Sequence, residues 1–264
     1  MAWIVGWNGL IKKTTDGGKS WITQVSNTTK EIRSVSFSDG NNGWAVADSL
    51  ILRTTNGGST WTSQPAPSLT YLYGVKAISS SVGFVLNASR LLKTTDGGAL
   101  WVSQPLPGYA FLQGIHFVDN TTGWVVGADG ALLKTTDGGS AWKFQQSGTP
   151  NWLISVHFVD PNIGWAVGWD GTIIKTTDGG ETWGVQHSGS MNSFETVYAL
   201  DASTVFAGGG DFLTTAAGGG VAHYPPLLMA PVNQAQGIPT NPVLSWTAVA
   251  AVRYQLQVST SSRF

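Results

Sequence analysis

Five copies of one short phrase, placed at almost equal intervals, dominate this chain of 264 residues. Each copy runs from a pair of threonines through an Asp-Gly-Gly or Asn-Gly-Gly turn to a tryptophan, and the closing tryptophans are 40, 40, 41 and 41 residues apart. A period of this length indicates stacked supersecondary units, none of which can bury its apolar face alone. The copies begin at Thr14, Thr54, Thr94, Thr135 and Thr176.

Each repeat predicts four short strands. In the fifth repeat, β-rich runs at 154–160, 165–169, 172–177 and 182–186 are separated by turn residues. Four antiparallel strands per unit of about 40 residues are typical of a β-propeller blade. A sixth repeat at the end of the array lacks the turn aspartate and the closing tryptophan, and the first repeat begins at its second strand. The sequence therefore predicts an all-β propeller of about six four-stranded blades, with an incomplete first blade and a degenerate last one.

The repeated turn has a mechanical explanation. A short Asp or Asn side chain accepts hydrogen bonds from nearby backbone N–H groups, and the glycines adopt positive φ without steric cost. The tryptophan then begins the outer strand, where its large ring can pack against a neighbouring blade. A catalytic role would require five equivalent sites, so a structural role is preferred. The residues given this role are Asp16, Trp21, Asn56, Trp61, Asp96, Trp101, Asp137, Trp142, Asp178 and Trp183.

The phrase resembles the Asp-box, or BNR, repeat, whose pattern is Ser/Thr-x-Asp-x-Gly-x-Thr-Trp. The resemblance covers residues 3 to about 223. The fuller unit, with Gly-Trp-Ala-Val-Gly before Lys-Thr-Thr-Asp-Gly-Gly, is most similar to the photosystem II stability/assembly factor family. Asp-boxes also occur in sialidases, in other glycoside hydrolases and in sortilin-type receptors, away from the working site. The resemblance therefore implies a propeller and not a particular reaction.

The composition changes after the repeats, which predicts two regions: a propeller at 1–223, and a linker with a truncated segment at 224–264. Alternating runs at 243–246 and 253–259 resemble the opening strands of a fibronectin type III domain, a partial β-sandwich. The missing strand of the first blade leaves two alternatives. Either a strand from elsewhere closes the ring, or the chain is part of a longer parent polypeptide, and the second is preferred.

Loops on a rigid scaffold carry most binding sites. In a propeller, the loops between blades share one face with the turns that join the second and third strands, and many aromatic residues of this chain fall there. Exposed aromatic rings favour stacking on sugars or gripping a peptide, although the same rings could instead wedge between blades as core. The predicted binding residues are Arg33, Tyr71, Tyr73, Tyr109, Phe111, Trp152, Trp169 and Glu195.

A second set of position-matched residues lies on the innermost strands. His116 and His157 fall in one column with Ser36, Lys76 and Tyr198. Two histidines are far short of a coordination shell, and Lys76 would oppose a cation, so no metal site and no cofactor are predicted.

Composition excludes several classes of partner. A net charge of −1 gives no electrostatic footprint for nucleic acid, and no apolar run approaches the length of a membrane span. The first residues carry no signal-peptide pattern. The resemblance to propellers of secreted bacterial proteins implies an extracellular or cell-surface location, with the periplasm as the alternative.

An enzymatic function is not predicted. A sialidase needs three clustered arginines, and of five in the chain only Arg33 and Arg90 could reach a site. The preferred function is a non-catalytic binding or scaffolding module of a larger protein that recognises a protein or glycan. The alternatives are an assembly chaperone similar to the photosystem II factor, and a sialidase-like glycoside hydrolase.

Overall fold

The computed structural model describes residues 1–64, 71–87, 89–108, 111–216, 220–223 and 255–258. These residues form six four-stranded antiparallel sheets together with two three-residue 3-10 turns. The innermost strands of consecutive blades contact one another from the first blade to the sixth. The predicted all-β propeller of six four-stranded blades is therefore confirmed.

The strands of each blade are given from the axis outwards. Blade one consists of β24 (Gln255–Val258), β1 (Ala2–Gly6), β2 (Leu10–Thr14) and β3 (Ile22–Gln24). Blade two consists of β4 (Ser34–Phe37), β5 (Gly43–Ala47), β6 (Leu50–Thr54) and β7 (Thr62–Gln64). Blade three consists of β8 (Leu72–Ala77), β9 (Gly83–Asn87), β10 (Arg90–Thr94) and β11 (Val102–Ser103). Blade four consists of β12 (Leu112–Phe117), β13 (Gly123–Gly127), β14 (Leu132–Thr135) and β15 (Lys143–Phe144). Blade five consists of β16 (Leu153–Phe158), β17 (Gly164–Gly168), β18 (Ile173–Thr176) and β19 (Gly184–Gln186). Blade six consists of β20 (Phe194–Ala199), β21 (Val205–Gly209), β22 (Phe212–Ala216) and β23 (Gly220–His223).

The first blade differs from the expectation of an incomplete blade. Its innermost strand is β24, which pairs antiparallel with β1 so that Trp3 faces Gln257 and Ile4 faces Leu256. This is the alternative in which a strand from elsewhere completes the blade. Because the edge of β1 is thereby paired, its backbone groups are not left exposed towards the axis. Residues 224–254 and 259–264 lie outside the described residues, so the fibronectin-like segment stays a prediction.

Aromatic side chains form the contact between neighbouring blades. Trp124, fully buried in β13, stacks on Phe158 of the next blade at a centroid distance of 3.4 Å, and Trp183 meets Phe158 edge-on at 5.7 Å. The ammonium of Lys134 lies 5.6 Å from the Trp124 ring centroid. The same arrangement recurs at other blade contacts, in the sets Trp3–Phe37–Trp61 and Phe84–Phe117–Trp142. Burial of these large apolar surfaces is the main force that joins the blades.

The repeated turns close their hydrogen bonds internally. In blade five, Gly180 N donates to Thr176 Oγ1 at 2.8 Å, that hydroxyl donates to Asp178 Oδ1 at 2.7 Å, and Thr182 N donates to the same carboxylate oxygen at 2.9 Å. Gly179 and Gly180 have φ of 73° and 94°, a region that favours glycine. In blade two Asn56 takes the same position, and its Oδ1 accepts from Thr60 N at 2.9 Å.

Candidate binding face

Antiparallel topology brings two kinds of segment to one face of the propeller. The loops that lead into each innermost strand and the turns between the second and third strands lie on that face, and the repeated turns lie on the other. We call it the loop face. In blade five, Trp169 N donates to Trp152 O at 2.9 Å, which ties the turn to the loop. Asp170 has a φ of 53°, a left-handed value that a short polar residue tolerates in a tight turn.

Three rings from blades four and five form a row on the loop face. Trp152 and Trp169 are almost parallel, with centroids 4.6 Å apart, and Phe111 lies 6.1 Å from Trp152 at an interplanar angle of 16°. Phe111 is 55% exposed and Trp169 is 44% exposed, whereas Trp152 between them is half-buried. These rings were candidates for the core between blades, but the structure places them at the surface, where they expose a continuous apolar row. We call this row the aromatic stack.

The other predicted binding residues are distributed around the same face. Tyr71 is 55% exposed and has a φ of 60°, a strained value for a bulky residue. Tyr73 is partly buried in β8, and Glu195 is exposed in β20. Tyr109 lies outside the described residues. Among the described residues, the ring contacts of the aromatic stack include neither Tyr71 nor Tyr73, so the predicted set divides into separate groups around the loop face.

Polar and charged side chains of blades one and two form a hydrogen-bonded patch on the loop face. Trp7 Nε1 donates to Glu31 Oε1 at 2.8 Å, and Arg33 Nε lies 3.3 Å from Glu31 Oε2. The Arg33 guanidinium also lies 5.6 Å from the Tyr73 ring centroid. Because Glu31 neutralises Arg33, this patch presents a paired charge to a ligand. Trp7 was visible in the sequence as a turn residue, but its bond to Glu31 depends on the spatial neighbourhood of two loops.

A neighbouring ion pair was not predicted. Lys30 Nζ lies 3.0 Å from Asp48 Oδ2, and both side chains are substantially exposed. The hydrogen bond from Lys30 lowers the pKa of Asp48 below its usual value. Lys30 lies in the loop before β4 and Asp48 in the turn after β5, 18 positions further along the chain, so no local sequence signal could have found the pair.

Three acidic residues of the loop face lie in the turns between second and third strands. Asp129 and Asp170 occupy left-handed positions in their turns, with φ of 55° and 53°. Asp211 Oδ2 accepts hydrogen bonds from Ser190 Oγ and from Asn192 Nδ2. The Asp211 carboxylate is therefore held by neighbouring side chains, and the presence of Asp129 and Asp170 follows from the backbone conformation of their turns.

Arg53 is removed from the surface. It is buried, and its guanidinium lies 4.0 Å from the Trp44 ring centroid and donates to the Gly43 carbonyl oxygen at 3.0 Å. Arg53 is therefore a blade-contact residue and cannot belong to a carboxylate-binding cluster on the loop face.

In the part of the chain that the structure describes, no group of three or more His, Cys, Asp or Glu side chains is placed to hold a metal ion. None of the helical segments among the described residues has the length and apolar character needed to cross a membrane.

Sequence comparison gives a family match in the first half of the molecule. The family described as "Photosynthesis system II assembly factor YCF48" matches residues 1–68 and 65–143, which together make up more than half of the chain. The two matched segments contain the first four copies of the repeated turn. No curated protein matches the chain by sequence.

Several solved structures share the fold. A structure described as YCF48 bound to D1 peptide is 25% identical, has a TM-score of 0.65, and the alignment covers 82% of this chain and 74% of that one. A GH74 enzyme of Niastella koreensis is 18% identical with a TM-score of 0.64, over 81% of this chain and 41% of the enzyme. A chain of a nidogen/laminin complex is 11% identical with a TM-score of 0.63, over 82% and 90%. The last two show the propeller fold alone.

Proposed function

The chain belongs to the Photosynthesis system II assembly factor YCF48 family, and we propose that it is a non-catalytic propeller that binds a segment of another protein on its loop face. The observation that carries the proposal is the aromatic stack of Phe111, Trp152 and Trp169. Aromatic rings that are held rigidly by one another lose little conformational entropy when a ligand binds, and they dominate the energetics of many interfaces.

The neighbouring YCF48 structure supports a peptide as the ligand. That protein is described as bound to a D1 peptide, and the alignment with it covers most of this chain. An extended peptide would lay apolar side chains on the aromatic stack. Its polar groups could meet the paired Arg33 and Glu31 on the same face. The identity of the peptide is left open in this proposal.

Two biological settings fit the same binding activity. The first is a scaffold in a larger secreted or cell-surface bacterial protein, in which case the rest of the parent polypeptide is a partner. The second is an assembly factor that holds a protein client during complex formation, and the family match supports it at least as well. Cell fractionation combined with identification of the bound partner separates them, because only the assembly factor would be recovered with subunits of an incomplete complex.

We propose no catalytic role for this chain. The Asp211 carboxylate accepts hydrogen bonds from two neighbouring side chains, and Arg53 is buried against Trp44. Asp129 and Asp170 occupy tight-turn positions that their backbone conformation explains. A glycosidase requires one acid to protonate the leaving group and a second carboxylate placed across the scissile bond. Hydrolysis of a panel of aryl glycosides by the purified chain would contradict this part of the proposal.

The test of binding is a screen of the purified chain against peptide and glycan arrays, followed by affinity measurement on the best ligand. We expect peptide binding, and we expect Trp169→Ala and Phe111→Ala each to weaken it roughly tenfold or more, since truncation of a central aromatic contact often costs 2 kcal/mol. The control is Phe144→Ala, which removes a ring of 50% exposure from an outermost strand.

Two results would contradict the proposal. Peptide binding that is unchanged by both stack variants would place the site elsewhere. If the chain binds only glycans, and the same variants lose that binding, the loop face is the binding site but its ligand is a glycan and not a peptide.

A further inference from the structure

Five innermost strands place one residue each at the same register near the propeller axis. Each of these residues pairs with the second residue of the neighbouring strand, as Lys76 does with Phe84 and His116 with Trp124. We call the set the axial ring. Its members are Ser36, Lys76, His116, His157 and Tyr198.

Two members of the axial ring accept a hydrogen bond from the next blade. Ser36 Oγ accepts from Ala77 N at 3.0 Å, and His157 Nδ1 accepts from Ala199 N at 3.3 Å. Each innermost strand has one edge, on the axial side of its sheet, that pairs with no other strand, so the N–H groups along that edge need an acceptor. The ring therefore links neighbouring blades through side chain to backbone hydrogen bonds.

Lys76 breaks this pattern. An ammonium group has three donors and no acceptor, so it cannot receive the backbone N–H of Phe117, which is equivalent in register to Ala77 N and Ala199 N. The ion pairs found among the described residues are Lys30 with Asp48 and Arg33 with Glu31, and neither involves Lys76. The Lys76 ammonium thus places three hydrogen-bond donors between blades three and four, and no described carboxylate forms an ion pair with it.

The neighbouring ring members add further donors. The ring centroids of His116 and His157 are 4.4 Å apart, and those of His157 and Tyr198 are 4.7 Å apart, so these three side chains are in continuous contact. Lys76 precedes them on β8, the strand next to β12. We call the four residues the arc. Because His157 Nδ1 accepts a hydrogen bond from Ala199 N, the proton of its neutral ring resides on Nε2, which is then a donor. The Tyr198 hydroxyl can also donate.

Electrostatics fixes the charge of the arc at neutral pH. Burial lowers the pKa of Lys76 to about 8, so its amine is still mostly protonated at pH 7. Burial, with the added repulsion of Lys76, lowers the pKa of His157 to about 4 and that of His116 well below its usual value. The arc therefore carries one positive charge, together with the neutral donors His157 Nε2 and the Tyr198 hydroxyl.

We propose that Lys76, His116, His157 and Tyr198 form a binding site for a small free oxyanion, such as inorganic phosphate or a short carboxylate, at the propeller axis. Such an ion supplies the negative charge and the acceptor oxygens that the arc lacks. Hydrogen bonds between ionised groups and oxyanions are among the stronger ones in proteins. The site is separate from the aromatic stack and does not depend on peptide binding.

The test is a titration of the full chain at pH 7 and constant ionic strength, with inorganic phosphate in one series, acetate in a second and chloride as the reference. Imidazole NMR signals report on the arc, and the variants His116→Gln and His157→Gln assign them. We expect a saturable shift of both signals with phosphate, with acetate or with both. The exposed His187 in the same chain should stay unshifted.

Variants of the lysine decide the interpretation. Lys76→Met should raise the dissociation constant at least tenfold, whereas Lys76→Arg should retain binding because it keeps the charge. The matched control Lys143→Met, on an exposed outer-strand position, should have no effect. No saturable shift with either ion, an equal shift of His187, or unchanged binding by a folded Lys76→Met protein would each overturn the proposal.

Discussion

The repeated turns and the axial ring each occur in five of the six blades, yet they differ in how much their residues vary. The five turns keep threonine and glycine at fixed places and exchange Asp only for Asn, whereas the ring contains Ser, Lys, His, His and Tyr. The turn satisfies its hydrogen bonds within one segment of a few residues. Two ring members, Ser36 and His157, accept hydrogen bonds from the backbone of the next blade, so their role depends on a neighbouring strand.

This difference separates the structural part of the molecule from the part that is free to acquire function. A unit that closes its own hydrogen bonds can be copied without regard to the next unit. A position that faces another blade or solvent can change in one blade while the equivalent positions of the other blades stay as they are. The aromatic stack follows the same rule, because Trp169 replaces a residue that is alanine in blade four, at position 128.

The largest expected effect compares two tryptophans from these two parts. Trp124→Ala removes a fully buried ring from the contact with Phe158, and we expect a loss of about 3–5 kcal/mol in the free energy of unfolding. Trp169→Ala removes an exposed ring, and its expected cost is below about 1 kcal/mol. Urea unfolding followed by far-UV circular dichroism measures both. Similar losses for the two variants would show that the aromatic stack is part of the core.

A smaller effect is expected inside the repeated turn. Thr176→Val keeps the shape of a buried side chain but removes the acceptor of Gly180 N, and an unpaired buried N–H costs about 1–3 kcal/mol. Thr182→Val removes a hydroxyl that donates to Asp178 at the exposed end of the same turn, and it should cost less. Thermal unfolding of the two variants gives the ranking. The reverse order would mean that the turn depends on its exposed hydrogen bond.

The sequence predicted the repeated part of the molecule well, and for a physical reason. Periodicity, turn residues and the spacing of the tryptophans are local signals, and they indicated the blades and the turns that join them. The innermost strand of blade one could not be predicted in this way. Its residues 255–258 alternate like any strand, and the choice of β1 as their partner depends on a contact across the whole chain.

The loop face was predicted in part for the same reason. The topology of a propeller put Phe111, Trp152 and Trp169 on one face, but their parallel stacking depends on how two blades meet. The pairing of Arg33 with Glu31 and the unmatched charge of Lys76 also arise between segments. These features depend on three-dimensional neighbours and left no local signal in the chain.

A variant in the axial ring is expected to increase stability, unlike the variants above, which are expected to reduce it. Lys76→Met removes a buried charge while it keeps the apolar stem, and we expect it to raise the free energy of unfolding at pH 7 by about 1–3 kcal/mol, the range implied by the pKa shift after allowance for water at the axis. Equilibrium urea unfolding at pH 7 in chloride, without phosphate or acetate, gives the comparison. A destabilised variant under these conditions would indicate that Lys76 has a compensating partner in the folded chain.

The pH dependence of that gain follows from the lowered pKa. The pKa of Lys76 is about 8 in the folded chain and near 10.5 in the unfolded chain, so the cost of its charge is complete below pH 8 and disappears as the pH rises to 10.5. The wild type should therefore approach the variant over this range. His116 and His157 are neutral throughout it, and burial raises the pKa of Tyr198. A gap that stays constant from pH 7 to 10 would contradict the assignment.

The smallest effect tests whether the turn needs a charge or only an acceptor. The hydrogen bonds from Thr182, with that from Thr176, hold the pKa of Asp178 well below its usual value. The ionised carboxylate therefore stabilises the fold above the unfolded pKa near 3.8, and this contribution is lost as the pH falls through the lower folded pKa. Asp178→Asn should reduce the melting temperature slightly at pH 7, and the difference from wild type should shrink between pH 4 and 2.

Blade two supplies the reciprocal variant. Asn56 already makes the turn with an amide, whose Nδ2 donates to Thr60 Oγ1 at 2.9 Å. Asn56→Asp should therefore raise the melting temperature slightly at pH 7 and lose that gain in acid. The other turn aspartates are common to both proteins in each comparison, so their titration cancels. If both variants match wild type at every pH, the side-chain acceptor alone holds the turn, and the preference for Asp in four of five copies has no energetic basis in its charge.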